Sequence, residues 1–70
     1  MIRQSVSSSN MRSIGYDSES QTLEIEFHNG GIYQYFNVPE SVYSSLMSAS
    51  SHGSYFNRNI KDQYRWRKIR

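Results

Sequence analysis

The sequence contains no cysteine. Disulfides and cysteine-ligated zinc are therefore excluded, and a reducing, cytoplasmic setting is the natural expectation. Its single proline is Pro39 and its four glycines are scattered, so neither a proline-rich arm nor a glycine linker divides the chain. No apolar run is long enough for a membrane-spanning helix, and the first residues lack the apolar centre of a signal peptide. The two histidines, His28 and His52, stand alone without metal-ligand spacing and read as surface residues. Serine is abundant, but no nucleophile-elbow motif frames any of it. Gly30-Gly31 lacks the helix and lysine of a phosphate loop. These absences point to a non-enzymatic domain without metal or cofactor.

What is present is aromatic. One Trp, six Tyr and three Phe occur in 70 residues, and large rings help a chain too short to bury much else. The length allows one domain, spanning residues 1–70. Net charge is only +2, but it is unevenly placed. Residues 1–57 carry two arginines against five carboxylates, a formal −3, whereas residues 58–70 carry six basic side chains against Asp62, a formal +5.

The chain is organised around Leu23 to Pro39. Leu23, Ile25 and Phe27 alternate with Glu24 and Glu26, the period of a strand with one buried face. Asn29-Gly30 is a hairpin signal, and Ile32 to Phe36 is rich in strand-forming residues. Two registers compete. A two-residue turn sets Ile25 against Gln34 and leaves Tyr33 and Tyr35 on the outer, glutamate-bearing face. A three-residue loop with Gly30 left-handed sets Ile25 against Tyr33 and Leu23 against Tyr35. The second is favoured because it gathers four large side chains on one face.

Residues 1–9 are polar and serine-rich and read as a flexible lead-in. Met11 to Asp17 reads as a first strand, with Ile14 and Tyr16 sharing a face. Pro39 opens a helix at its first position, with Glu40 in the first turn and Val42, Leu46 and Ala49 as its apolar stripe. A second helix is expected from about Ser54 to Lys61, with Phe56 and Ile60 inward. The tail from Asp62 to Arg70 reads as an edge strand or ordered coil. The predicted fold is α+β, a three-stranded antiparallel β-meander followed by two short helices packed on one face.

Ser8-Ser9-Asn10, Ile14-Gly15-Tyr16-Asp17, Leu23 to Phe27, Tyr33-Gln34-Tyr35, Val38-Pro39 and Gly53-Ser54-Tyr55-Phe56-Asn57, in this order and spacing, closely resemble the KTSC domain family. The resemblance runs from about Ser7 to Ile69. The family is named for the C-terminus of some lysyl-tRNA synthetases and also occurs as small stand-alone bacterial and phage proteins. It has no established biochemical function and no catalytic residues attached to it. Its association with the synthetases implies RNA binding. Tyr33 and Tyr35 match its central motif, and Arg65 departs from it where proline often follows the tyrosine matched by Tyr64.

The candidate nucleic-acid site is the tail. Arg58, Lys61, Arg65, Arg67, Lys68 and Arg70 would meet phosphates, and Tyr64 and Trp66 would stack on bases. The alternative leaves the tail a solvated terminus, with Trp66 a lid on the core. Tyr33 and Tyr35 read as structural. The expected partner is RNA, tRNA-like. The rival reading is a protein-interaction or self-association module, a monomer or weak dimer pairing through open sheet edges.

Overall fold

Gly30 decides the central hairpin. It adopts φ 94°, which a residue without a Cβ reaches at no steric cost. The Phe27 N–H donates to the Gly31 carbonyl (2.9 Å) and the Gly30 N–H to the Phe27 carbonyl (2.9 Å), closing a three-residue loop. The Asn29 carboxamide oxygen accepts from the Gly31 N–H at 2.9 Å and braces that loop. Strands β3 (Thr22–Phe27) and β4 (Ile32–Tyr35) therefore pair with Leu23 against Tyr35 and Ile25 against Tyr33. This is the register that puts both tyrosines on the face carrying Leu23 and Ile25.

The computed structural model describes residues 1–70. Around the hairpin it adds β1 (Arg3–Ser5), β2 (Met11–Asp17) and, at the far edge, β5 (Trp66–Lys68). The sheet is antiparallel throughout, in the order β1-β2-β3-β4-β5. Helices α1 (Glu40–Ser48) and α2 (His52–Asn59) lie between β4 and β5 in the chain. The α+β class and the meander agree with the sequence expectation, but the sheet has five strands, not three.

The two extra strands have different causes. Arg3-Gln4-Ser5 has no apolar alternation, so local sequence does not make it a strand. Its partners do: the Arg3 guanidinium donates from Nε to Ser13 Oγ at 3.0 Å and pairs with the Glu24 carboxylate. Strand β5 is the edge-strand alternative for the tail. It is secured by the Phe36 N–H to the Arg65 carbonyl (2.9 Å) and the Ile32 N–H to the Arg70 carbonyl (2.9 Å).

One sheet face is apolar and carries the helices. A bulge shifts the β2–β3 register between Met11 and Ser13, turning Met11 inward and leaving Arg12 exposed. Met11, Ile14, Leu23 and Ile25 from the sheet pack with Val38, Leu46, Phe56 and Ile60, and Tyr35 completes the core. Burying each such side chain contributes roughly 1.5–3 kcal/mol. Pro39 sits one place earlier than expected, at the N-cap of α1. Ser51 caps α2 by accepting from the Ser54 N–H at 3.2 Å. His52 is not a free surface residue. It begins α2, and its Nδ1 is 2.8 Å from the Leu46 carbonyl, which also accepts the Ala49 N–H at the end of α1 (3.3 Å). On the same face, Tyr16 of β2 stacks on Tyr43 of α1 at 4.7 Å with the rings 8° apart and donates its hydroxyl to the Val38 carbonyl.

No helix covers the other face, yet Glu24 there is only 8 % exposed. Arg3 and Gln34 close over it, Gln34 donating at 2.8 Å. Burial alone would raise the Glu24 carboxyl. The Gln34 and Arg3 hydrogen bonds and the Arg3 charge outweigh it and hold the carboxyl below the usual carboxylate range.

A candidate nucleic-acid interface

Where α2 ends and β5 begins, the apolar face is not fully covered. The chain leaves α2 with Ile60 buried in the core, then turns through Lys61 and Asp62, with the Gln63 N–H donating to the Ile60 carbonyl at 3.1 Å. The turn carries Lys61 and Asp62 to the mouth of a cleft of about 410 Å³, a volume within the range of small-ligand sites. Phe27, Tyr33, Tyr35 and Phe56 line it below and Trp66 closes one side. Asn10, Asn29 and Asn57 supply carboxamides around them.

The aromatic lining is a connected set. Phe27 meets Tyr33 edge-on at 5.7 Å and Phe56 at 5.7 Å, and Phe56 meets Tyr35 at 5.4 Å. Trp66 leans on Tyr33 at 5.6 Å with the rings 59° apart. These edge and tilted contacts suit the ring quadrupoles. Trp66 nevertheless remains 56 % exposed. The Lys68 ammonium lies 5.9 Å from the centre of the Tyr33 ring, a cation–π contact. Burial first, then the neighbouring Tyr33 and Asp62, push the Tyr35 phenol up to about 12, so it keeps its proton. The ion pairs of the domain lie elsewhere, at Arg3 and Arg70, and leave Lys61 and Asp62 without an ionic partner.

The strand geometry of the tail sorts the sequence candidates. Alternation along β5 puts Trp66 opposite Tyr35 and Lys68 opposite Tyr33, on the cleft side. Arg67 is opposite Gln34, on the other face. Arg70 approaches Glu26 at 4.0 Å. Arg58 lines a separate groove with Ser50, Ser51 and Tyr55. Tyr64 is half-buried against the core, and it borders a shallow depression beside the cleft with Arg65 and Trp66. The structure thus brings together Lys61, Trp66 and Lys68 with the central tyrosines, and places Arg58, Arg67 and Arg70 apart from them. Tyr35 is buried, and Tyr33 is half-buried and faces the cleft. Asp62, Phe27, Phe56 and the three asparagines were absent from the sequence candidates. A signal for four of them existed, since Asn10, Phe27, Phe56 and Asn57 fall in the Ser8-Ser9-Asn10, Leu23 to Phe27 and Tyr55-Phe56-Asn57 stretches.

Comparison with known proteins assigns the fold. The chain is 46 % identical over 70 residues to a protein of Stutzerimonas stutzeri strain A1501, covering 99 % of each. It is 39 % identical over 59 residues to a lysine–tRNA ligase of Nostoc punctiforme, where the match spans 84 % of this chain and 10 % of the ligase. Among solved structures, a KTSC domain protein of Yersinia pestis superposes with a TM-score of 0.96 at 48 % identity, over 99 % of this chain and 97 % of that one. The KTSC domain model matches residues 7–64, and the chain belongs to the KTSC domain family.

Proposed function

We propose that this domain is a non-enzymatic binding module for single-stranded RNA, with an unpaired base lodged in the cleft. The observation that carries this reading is Trp66, 56 % exposed at the edge of an aromatic cleft and accompanied by Lys61 and Lys68. An exposed indole presents a stacking face to any unpaired base, and flanking ammonium groups meet the backbone phosphates on either side of it. A duplex cannot offer a base to such a cleft without unstacking it. The similarity to part of a lysine–tRNA ligase, whose name ties that protein to tRNA, supports RNA as the partner.

Trp66 is the only tryptophan, so its emission reports on the site directly. Titration with a short single-stranded RNA at low salt should change the emission and saturate, while duplex DNA should leave it nearly unchanged. Affinity should fall with salt with a logarithmic slope of about −1.4, the value for two phosphates on a single strand. By gel shift, Trp66→Ala should abolish the specific component. The absence of any emission change and of any gel shift at low salt would overturn the reading.

A second reading is favoured by the opposite edge. Strand β1 is an open edge, and Ile2 beside it is 93 % exposed, which suits pairing with a strand of another chain. Light scattering across concentration tests it: growth into dimers lost on Ile2→Lys supports it, and a monomer at all concentrations removes it.

A further inference from the structure

We propose that the base taken by the cleft is guanine and that the Asp62 carboxylate selects it. This rests on the single-stranded RNA reading above. A carboxylate at the mouth of a phosphate-binding site calls for a reason, because it opposes the polyanion that Lys61 and Lys68 attract. Asp62 lines the cleft and has no ionic partner. It is an acceptor only, with two oxygens side by side. The cleft also carries the carboxamides of Asn10, Asn29 and Asn57.

Two adjacent acceptors match one base. The pairing edge of guanine carries two neighbouring donors, the N1–H and the 2-amino group, and then the O6 acceptor. The carboxylate takes both donors. Adenine and cytosine each offer one amino donor beside a bare ring nitrogen, whose lone pair faces the carboxylate. Uracil offers one N–H flanked by two carbonyls. Each of the three leaves a carboxylate oxygen unpaired or repelled by the base. The guanine ring meanwhile stacks on Trp66, and the flanking phosphates meet Lys61 and Lys68.

The test uses seven-nucleotide RNAs of uridine with a single central guanosine, adenosine, cytidine or inosine, followed by Trp66 emission. The guanosine oligomer should bind about tenfold or more tighter than the adenosine, cytidine and all-uridine oligomers, the discrimination expected of a two-bond base contact. Inosine lacks the 2-amino group and should fall between them. Asp62→Asn, checked for folding by circular dichroism, should erase the guanosine preference. Equal binding of all the oligomers would overturn guanine selection and leave the RNA reading intact. A guanosine preference that survives Asp62→Asn would overturn the role of Asp62. Failure of every oligomer to bind would overturn both readings together.

Discussion

Arg3→Ala tests whether the polar face of the sheet is a structural element or a decorated surface. Arg3 uses its whole guanidinium fork: Nε to Ser13, one terminal nitrogen to Glu24 and the other toward Glu26 at 3.6 Å. Its own side chain is 27 % exposed and that of Glu24 only 11 %, so solvent screens the pair from one side only. A hydrogen bond to a charged group contributes about 1.5–3 kcal/mol, and a fully exposed ion pair about 0–1 kcal/mol. The intermediate geometry here places the loss at about 2 kcal/mol. For a domain of this size that lowers Tm by about 8–16 °C. Because the folded-state carboxyl of Glu24 is held below its ordinary value, its contribution is complete above about pH 4.3, the unfolded value. It disappears as pH falls through the lower, folded value. Urea unfolding of wild type and Arg3→Ala, followed by circular dichroism at pH 7 and at pH 3, should therefore show a gap that closes in acid. A loss below about 0.5 kcal/mol at pH 7, or a loss equally large at pH 3, would refute the reasoning.

Gly15→Ala should strip β1 from the sheet and spare the rest, because the new Cβ would meet the Ile2 carbonyl oxygen at 2.9 Å and Arg3 Cγ at 3.0 Å. Faster amide exchange confined to residues 3–6, with a loss of about 1–3 kcal/mol, is the expected outcome, and unchanged protection there would contradict it. In alkali, the raised Tyr35 phenol makes its stabilising share complete below about pH 10, the unfolded value, and lost as pH rises through about 12. Tyrosinate absorbance should show this phenol titrating late in the folded domain, and Tyr35→Phe should remove that late step. A single titration of all the tyrosines near pH 10 would exclude it.

The sequence made the hairpin and its partners legible because their signals are local. Alternation from Leu23 to Phe27, the positive φ that Gly30 permits and the four-residue spacings of Val42 to Leu46 and Phe56 to Ile60 are each decided within a few residues. Strand β1 was not legible because Arg3 is held by Ser13 and Glu24, both distant in the chain. The cleft was half legible. Its aromatic and basic tail stood out by composition, and a period-two reading of Trp66 to Lys68 would have divided Arg67 from its neighbours. The polar groups around it come from separate segments. Asn10 precedes β2, Asn29 lies in the hairpin loop, Asn57 on α2 and Asp62 beyond it. No periodicity links such positions, and only the fold brings them into one cleft.

Strand order that follows chain order has a kinetic corollary. Strands β1 to β4 close through short hairpins, whereas β5 reaches β4 only after the whole helical segment from Phe36 to Arg65 has been placed. Its loop-closure entropy is the largest in the sheet, and its own three residues are all exposed. β5 should therefore dock late, and it can open by a local excursion that leaves the core of β2 to β4 intact. Trp66 and Lys68 ride on that strand, so the cleft can admit a ligand by loosening one edge, and a bound ligand would in turn hold the edge shut.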